Sequence, residues 1–204
     1  MHKGTGIFCI FLGIACILAS AGFAAYNSLE SQKGAQFSQT LLQDVQGKME
    51  ETPQTEHTEY ILDEILPETM SQEMLTIPAG DYESIGILFI PALELELPVL
   101  TDWSYEKLKK APCHYFGSCY ESDFVIAAHN YPSHFGRLSE LRKGDLILFT
   151  DALGEIHCYE VVLLETLLPT ATEEMITSGF DLSLYTCTLG GSNRVTVRCN
   201  KVKN

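Results

Sequence analysis

The sequence is short of positive charge. Lysine and arginine total 13 against 27 aspartates and glutamates, which leaves a net charge of −14. No run of Lys or Arg occurs anywhere, so the basic face that phosphate binding needs is missing and nucleic acid is excluded as a partner. Metal-binding patterns are missing too. There is no pair of CxxC units and no HExxH, and the scattered carboxylates form no EF-hand loop. We therefore expect neither a metal nor another cofactor. Internal repeats are absent. Wholesale disorder is also excluded, because 46% of the residues are hydrophobic and only 20% charged.

The acidity is unevenly spread. Ten acidic residues fall between Asn27 and Leu75, opposed only by Lys33 and Lys48. It belongs mostly to a middle segment and says little about the region after it. The seven cysteines also divide by region. Cys9 and Cys16 lie in an apolar stretch and serve there as small hydrophobes. Cys113, Cys119, Cys158, Cys187 and Cys199 follow later. Cys113 and Cys119 either form a disulfide outside the cell or stay reduced and partly buried.

From Gly4 to Leu29 the chain carries no charge. Its core, Ile7 to Tyr26, has the length of a bilayer-spanning helix. Lys3 precedes it and the acidic segment follows, so the positive-inside rule leaves the N-terminus in the cytoplasm and exports the rest. Ala19-Ser20-Ala21 would also suit signal-peptide cleavage. The uncharged run continues past that point, which favours a retained anchor.

Residues 28–75 read as an acidic stalk or linker between an anchor (residues 1–27) and a catalytic domain (residues 76–204). Within the stalk, Phe37, Leu41, Val45 and Met49 recur every four residues, one face of a helix that Pro53 ends. A second helical piece is expected around Tyr60 to Leu66. After Thr76 the texture changes to short apolar runs cut by Gly, Pro and Asp. The pattern predicts strands over Ser84–Ile90, Leu95–Leu100, Phe124–His129, Asp145–Thr150, Ile156–Glu165, Asp181–Cys187 and Arg194–Val202. A short helix is expected at Ser104–Lys110 and a helical turn at Thr172–Thr177. Many strands with little helix make an all-β barrel or sandwich.

Three residues stand out chemically. In Asp181-Leu-Ser-Leu-Tyr-Thr-Cys187, alternation turns Leu182, Leu184 and Thr186 to the core and Asp181, Ser183, Tyr185 and Cys187 outward. In Arg194-Val-Thr-Val-Arg-Cys199 the apolar face is Val195, Val197 and Cys199, so Arg194 and Arg198 point out. The Gly-rich loop between the two strands suits a hairpin, which would bring Cys187 and Arg194 to one exposed side. A cation there favours the thiolate and can donate to a developing oxyanion. Arg198 lies four residues on; Arg194 is nearer the strand start and hence nearer Cys187. His129 ends an apolar strand, Phe124-Val-Ile-Ala-Ala-His129, where it is placed for acid/base work. His114 and His134 are weaker rivals, and His157 falls mid-strand.

These residues, in this order, resemble the sortase family. Ser183-Leu-Tyr-Thr-Cys187 matches the family motif TLxTC with Ser for its first Thr. Arg194 in NRVTVRC and His129 in VIAAHN complete the set. Ile85–Pro91 with Leu97–Leu100 resembles the family's opening strand pair, and Cys113–Ser118 the approach to the His strand. The resemblance covers Tyr82 to Val202 and implies an eight-stranded sortase β-barrel. It further implies that Cys187 cleaves an LPxTG-like sorting signal of exported proteins through a thioester. His129 would move the protons, Arg194 would steady the intermediate, and Thr186 and Tyr185 would contact substrate. The acceptor would be an amine of a Gram-positive cell-wall precursor or a pilin lysine. Asn130 through Glu140 resembles the class B pattern, whereas TCTLGG is closer to other classes. No second apolar span follows Lys203 and no lid motif precedes the barrel, which disfavours pilus assembly. A cysteine hydrolase on the same scaffold and a non-catalytic peptide-binding domain are the alternatives.

Overall fold

A computed structural model describes residues 3–51 and 73–202. The helical piece expected at Tyr60–Leu66 lies outside the described residues. The first element has no proline anywhere along it and no charge between Gly4 and Leu29. Helix α1 runs unbroken over Lys3–Glu51, 49 residues, or ~74 Å at 1.5 Å per residue. It is long and apolar enough to cross a membrane. One face of its later half is buried. Leu41 and Val45, from the four-residue stripe, are buried against Ile77, Ala79, Leu100 and Cys113, and Leu42 and Met49 pack beside them. Burying each of the two aliphatic side chains is worth about 1.5–3 kcal/mol, enough to hold this stretch of the expected stalk on the barrel.

The strands are β1 (Ile77–Ala79), β2 (Tyr82–Ile90), β3 (Leu95–Leu100), β4 (Cys113–Phe116), β5 (Phe124–Ala127), β6 (Leu146–Asp151), β7 (Ile156–Leu167), β8 (Leu182–Cys187) and β9 (Arg194–Lys201). Among the described residues two short α-helices, α2 (Tyr105–Leu108) and α3 (Thr172–Ile176), accompany the strands. The sheet order is β1-β2-β3-β4-β5-β8-β9-β7-β6, and β2 also pairs with β6. That last pairing closes β2 through β9 into an eight-stranded barrel, with β1 as an added hairpin arm. Closure brings backbones very close at Gly86. A Cβ there would lie 2.1 Å from the Thr150 carbonyl oxygen, and φ is +147°, so only glycine fits. Inward side chains such as Leu88, Phe124, Ile126, Phe149, Leu182 and Leu184 fill the interior.

The β2, β3 and β6–β9 regions fall where the sequence pattern places strands, to within a few residues at their ends. Two strands, β1 and β4, were not expected; with 3 and 4 residues they are too short to show a period. The expected strand Phe124–His129 stops at Ala127, so His129 belongs to the loop that follows. Cys113 and Cys119 are both free thiols, each buried in a different cluster.

Candidate active site

Strands β5 and β8 run parallel, with Ala127 opposite Tyr185. Beyond that pair the chains stay tied. The Ala128 amide donates to the Tyr185 carbonyl at 3.2 Å, and Thr186 Oγ1 donates to the Ala128 carbonyl at 2.8 Å. The next residue on each chain is His129 and Cys187. On the other side of β8, Cys187 is paired directly across the antiparallel ladder with Arg194 of β9. The connection Thr188–Asn193 closes on itself, with Thr188 N donating to Asn193 O at 2.9 Å and Gly191 N to Thr188 O at 2.8 Å. Gly190 and Gly191 both adopt positive φ, 84° and 73°, which two successive side chains would resist.

Cys187 is half-buried between two clefts. One, of about 560 Å³, is bordered by Asn27, Asn130, Phe135, Thr186, Cys187 and Leu189. The other, of about 150 Å³, is walled by Trp103, Tyr115, Leu168, Tyr185, Cys187 and Arg194. This second cleft joins an aromatic and aliphatic wall to one cation and one thiol, a lining that suits an apolar peptide side chain beside a reacting carbonyl. Arg194 Nη1 donates to the carbonyls of Gly191 and Asn193, both at 3.2 Å. Its remaining N–H groups are left for a ligand.

His129 is half-buried and its ring stacks on Tyr131, with centroids 4.6 Å apart. Burial first, and the positive charge of Lys109 second, hold its pKa below the usual histidine value. It is therefore a neutral base at neutral pH. The turn after it is tight: Phe135 N donates to the His129 carbonyl at 3.2 Å and Gly136 N to the Tyr131 carbonyl at 2.9 Å. Tyr185 meets Tyr115 edge-on at 5.4 Å, and burial pushes its phenol pKa up. Thr186 borders the larger cleft but spends its hydroxyl on Ala128.

The rival groups are engaged elsewhere. Arg198 does leave the barrel interior, yet it is not exposed as expected; it is 2% accessible. Its Nε donates to Glu165 Oε1 at 2.7 Å, and its Nη atoms to Ser183 Oγ at 2.8 Å and to the carbonyls of Glu174 and Met175. Helix α3 covers it, which alternation along β9 cannot reveal. His114 has both ring nitrogens against carbonyls, at 3.1 and 2.8 Å. The thiols of Cys113, Cys119 and Cys199 are each pushed up to about 12 by burial, so they stay protonated and inert.

A second Cys/His group went unnoticed in the sequence. The ligand atoms of Cys119, Asp151 and His157 lie within 4.8 Å of one another, all buried. Asp151 Oδ2 accepts from Tyr120 Oη at 2.8 Å and from His157 Nε2 at 3.1 Å; Oδ1 accepts from the amides of Leu153 and Glu155. Four bonds occupy the carboxylate, so the cluster fastens the β6–β7 turn to the barrel. Only the spacing of Asp151 and His157 across a hairpin could have signalled it.

Comparison with known proteins agrees with this geometry. The Sortase domain family matches residues 88–202. Sortase D of Bacillus subtilis strain 168 is 33% identical over 82 residues, which is 39% of this chain and 41% of that protein; the match thus spans less than half of the relative's length. Among solved structures, sortase C1 from Streptococcus suis superposes with a TM-score of 0.51 at 29% identity, covering 59% of this chain and 74% of that one. Sortase A from Corynebacterium diphtheriae gives 0.55 at 24% identity, covering 61% and 63%. With a closed eight-stranded barrel and a family match over more than half of its length, this chain belongs to the sortase family.

Proposed function

We propose that this protein is a membrane-anchored cysteine transpeptidase of a Gram-positive cell surface. Residues 1–27 are its cytoplasmic end and anchor, residues 28–75 the connecting segment and residues 76–204 the catalytic domain. The substrate is an exported protein ending in an LPxTG-like signal. His129 accepts the Cys187 thiol proton, and the thiolate attacks the threonine carbonyl carbon of the Thr–Gly bond. Arg194 donates to the oxyanion of the tetrahedral intermediate. The C–N bond breaks as the imidazolium of His129 protonates the leaving amine, and a thioester on Cys187 results. An incoming amine, from a cell-wall precursor or a pilin lysine, gives a proton to His129 and attacks the thioester carbonyl; the C–S bond breaks, and the imidazolium returns that proton to the Cys187 sulfur. Tyr185 and Thr186 border the substrate, Tyr185 beside the aromatic wall that receives its apolar residues.

What carries this reading is the direct cross-strand pairing of Cys187 with Arg194 at the mouth of a cleft. The test uses the full chain in lipid nanodiscs, offered LPxTG-like peptides with and without an amine acceptor and followed by mass. We expect cleavage, a thioester adduct on Cys187, and ligation only when amine is present. Cleavage by Cys187→Ala at the parent rate overturns the proposal. Release to water alone, with amine present, makes the protein a hydrolase.

A further inference from the structure

Contacts along α1 rank the surfaces of the barrel by distance from the apolar run. Asn27, the first residue after Ile7–Tyr26, borders the same cleft as Cys187. Two turns later, a Cβ on Gly34 would lie 2.7 Å from the Lys109 carbonyl oxygen and 3.1 Å from the Tyr131 ring, and that ring carries His129. Phe37 then meets Tyr82 at 6.0 Å. Farther on, Asp44 Oδ2 accepts from the Gly80 amide at 2.7 Å and Lys48 Nζ donates to the Pro78 carbonyl at 2.8 Å. Asn27 to Lys48 is ~32 Å of helix. The barrel thus lies along one continuous rod, with the Cys187 cleft at the end nearest the membrane-spanning residues and the β1–β2 hairpin at the far end.

The rim at that near end carries four large exposed apolar side chains, set among polar neighbours that include Glu106, Glu173 and Ser192. Leu189, two residues from Cys187, is 88% accessible, and Tyr105 is 77% accessible. Trp103 and Leu168 are also exposed and border the cleft shared by Cys187 and Arg194. Trp and Tyr, apolar at one end and polar at the other, settle at the headgroup level of bilayers. We infer that the phospholipid headgroup layer covers this rim, so that both clefts open onto the membrane surface with Leu189, Leu168, Trp103 and Tyr105 in contact with lipid. The occupant is set by continuity: the helix that borders the cleft at Asn27 is the helix that enters the bilayer. Substrate then meets Cys187 at the lipid interface and not tens of ångströms above it. The inference rests on the apolar run being a retained span, and not on the chemistry proposed for Cys187.

The sequence supplies its own probe, since Trp103 is the only tryptophan. The full chain is reconstituted into phosphatidylcholine/phosphatidylglycerol vesicles containing lipids brominated near the ester end of the acyl chain, and tryptophan emission is read. A paired variant, Trp103→Phe with Ile156→Trp, moves the probe to an exposed site. Ile156 lies eleven residues back along β7 from Leu167, the partner of Arg194, which is ~36 Å of strand. We expect Trp103 emission to be blue-shifted and quenched at least about twofold more than the Ile156→Trp probe. Equal quenching of the two probes overturns the placement, as does a chain that does not float with the vesicles. Peptide cleavage plays no part in the readout, so a failure of this placement and a failure of the proposed chemistry are told apart.

Discussion

Cys119 lies beside His157 and Asp151 inside the barrel, whereas Cys187 ends β8 next to the segment that carries His129. Residue types alone would rank the inner group higher, since it pairs a thiol, an imidazole and a carboxylate within 4.8 Å. The surroundings reverse that ranking. Every lone pair of Asp151 is used, and burial pushes the Cys119 thiol up to about 12. Cys187 instead borders two clefts, beside an arginine with donors to spare. The two arginines of β9 repeat the contrast: Arg198 is saturated and covered, Arg194 is neither. Chemistry needs groups that are reachable and incompletely bonded, and stability needs the opposite.

The sharpest way to break the comparison is to exchange its two cysteines. Cys187→Ala is expected to lower peptide cleavage at least about a thousandfold while leaving the melting temperature unchanged. Cys119→Ala should lower the melting temperature and leave kcat/KM per folded molecule unchanged. If the two results trade places, the assignment is wrong. Next in size is Arg198→Ala, which strips Glu165, Ser183 and the α3 carbonyls of their donor. Urea unfolding should show a loss of about 3–5 kcal/mol.

Acid provides a third probe. His134 is fully buried, and burial, opposed by the neighbouring Gly34 backbone, pushes it down to about 4. Below about 6.5 the unfolded chain takes up a proton that the folded chain refuses. Stability should therefore fall as pH drops from about 6.5 to about 4, by about 3 kcal/mol, and level off below. A His134→Phe variant should show a flatter profile in thermal melts across that range; an identical slope would remove His134 from the account. The smallest effect expected is Arg194→Ala, a roughly hundredfold loss in kcat/KM with no change in unfolding free energy.

Legibility in the sequence tracked the range of the interaction. The β3 strand, Leu95–Leu100, follows from a short apolar run, and the inward leucines of β8 from alternation. The pairing of Cys187 with Arg194 follows once a short hairpin joins β8 and β9. What a strand's outer face meets is set by distant segments. Hence α3 over Arg198 and the docking of α1 were invisible, although the stripe Phe37, Leu41, Val45, Met49 announced that some face would be buried. The barrel's closing contact hid in the same way. Nothing local marks Gly86 as the place where Thr150 approaches.

The ladder around the barrel is uneven, and its thinnest joint lies under α1. Strands β3 and β4 share a single registered pair, Leu100 with Cys113, and both residues pack against Leu41 and Val45. The helix is thus a splint across a crack in the hoop. A truncation ahead of Ser28 would remove the apolar run and leave the splint attached. One made after Glu51 would uncover the joint, leaving a soluble domain whose hoop can spring open there.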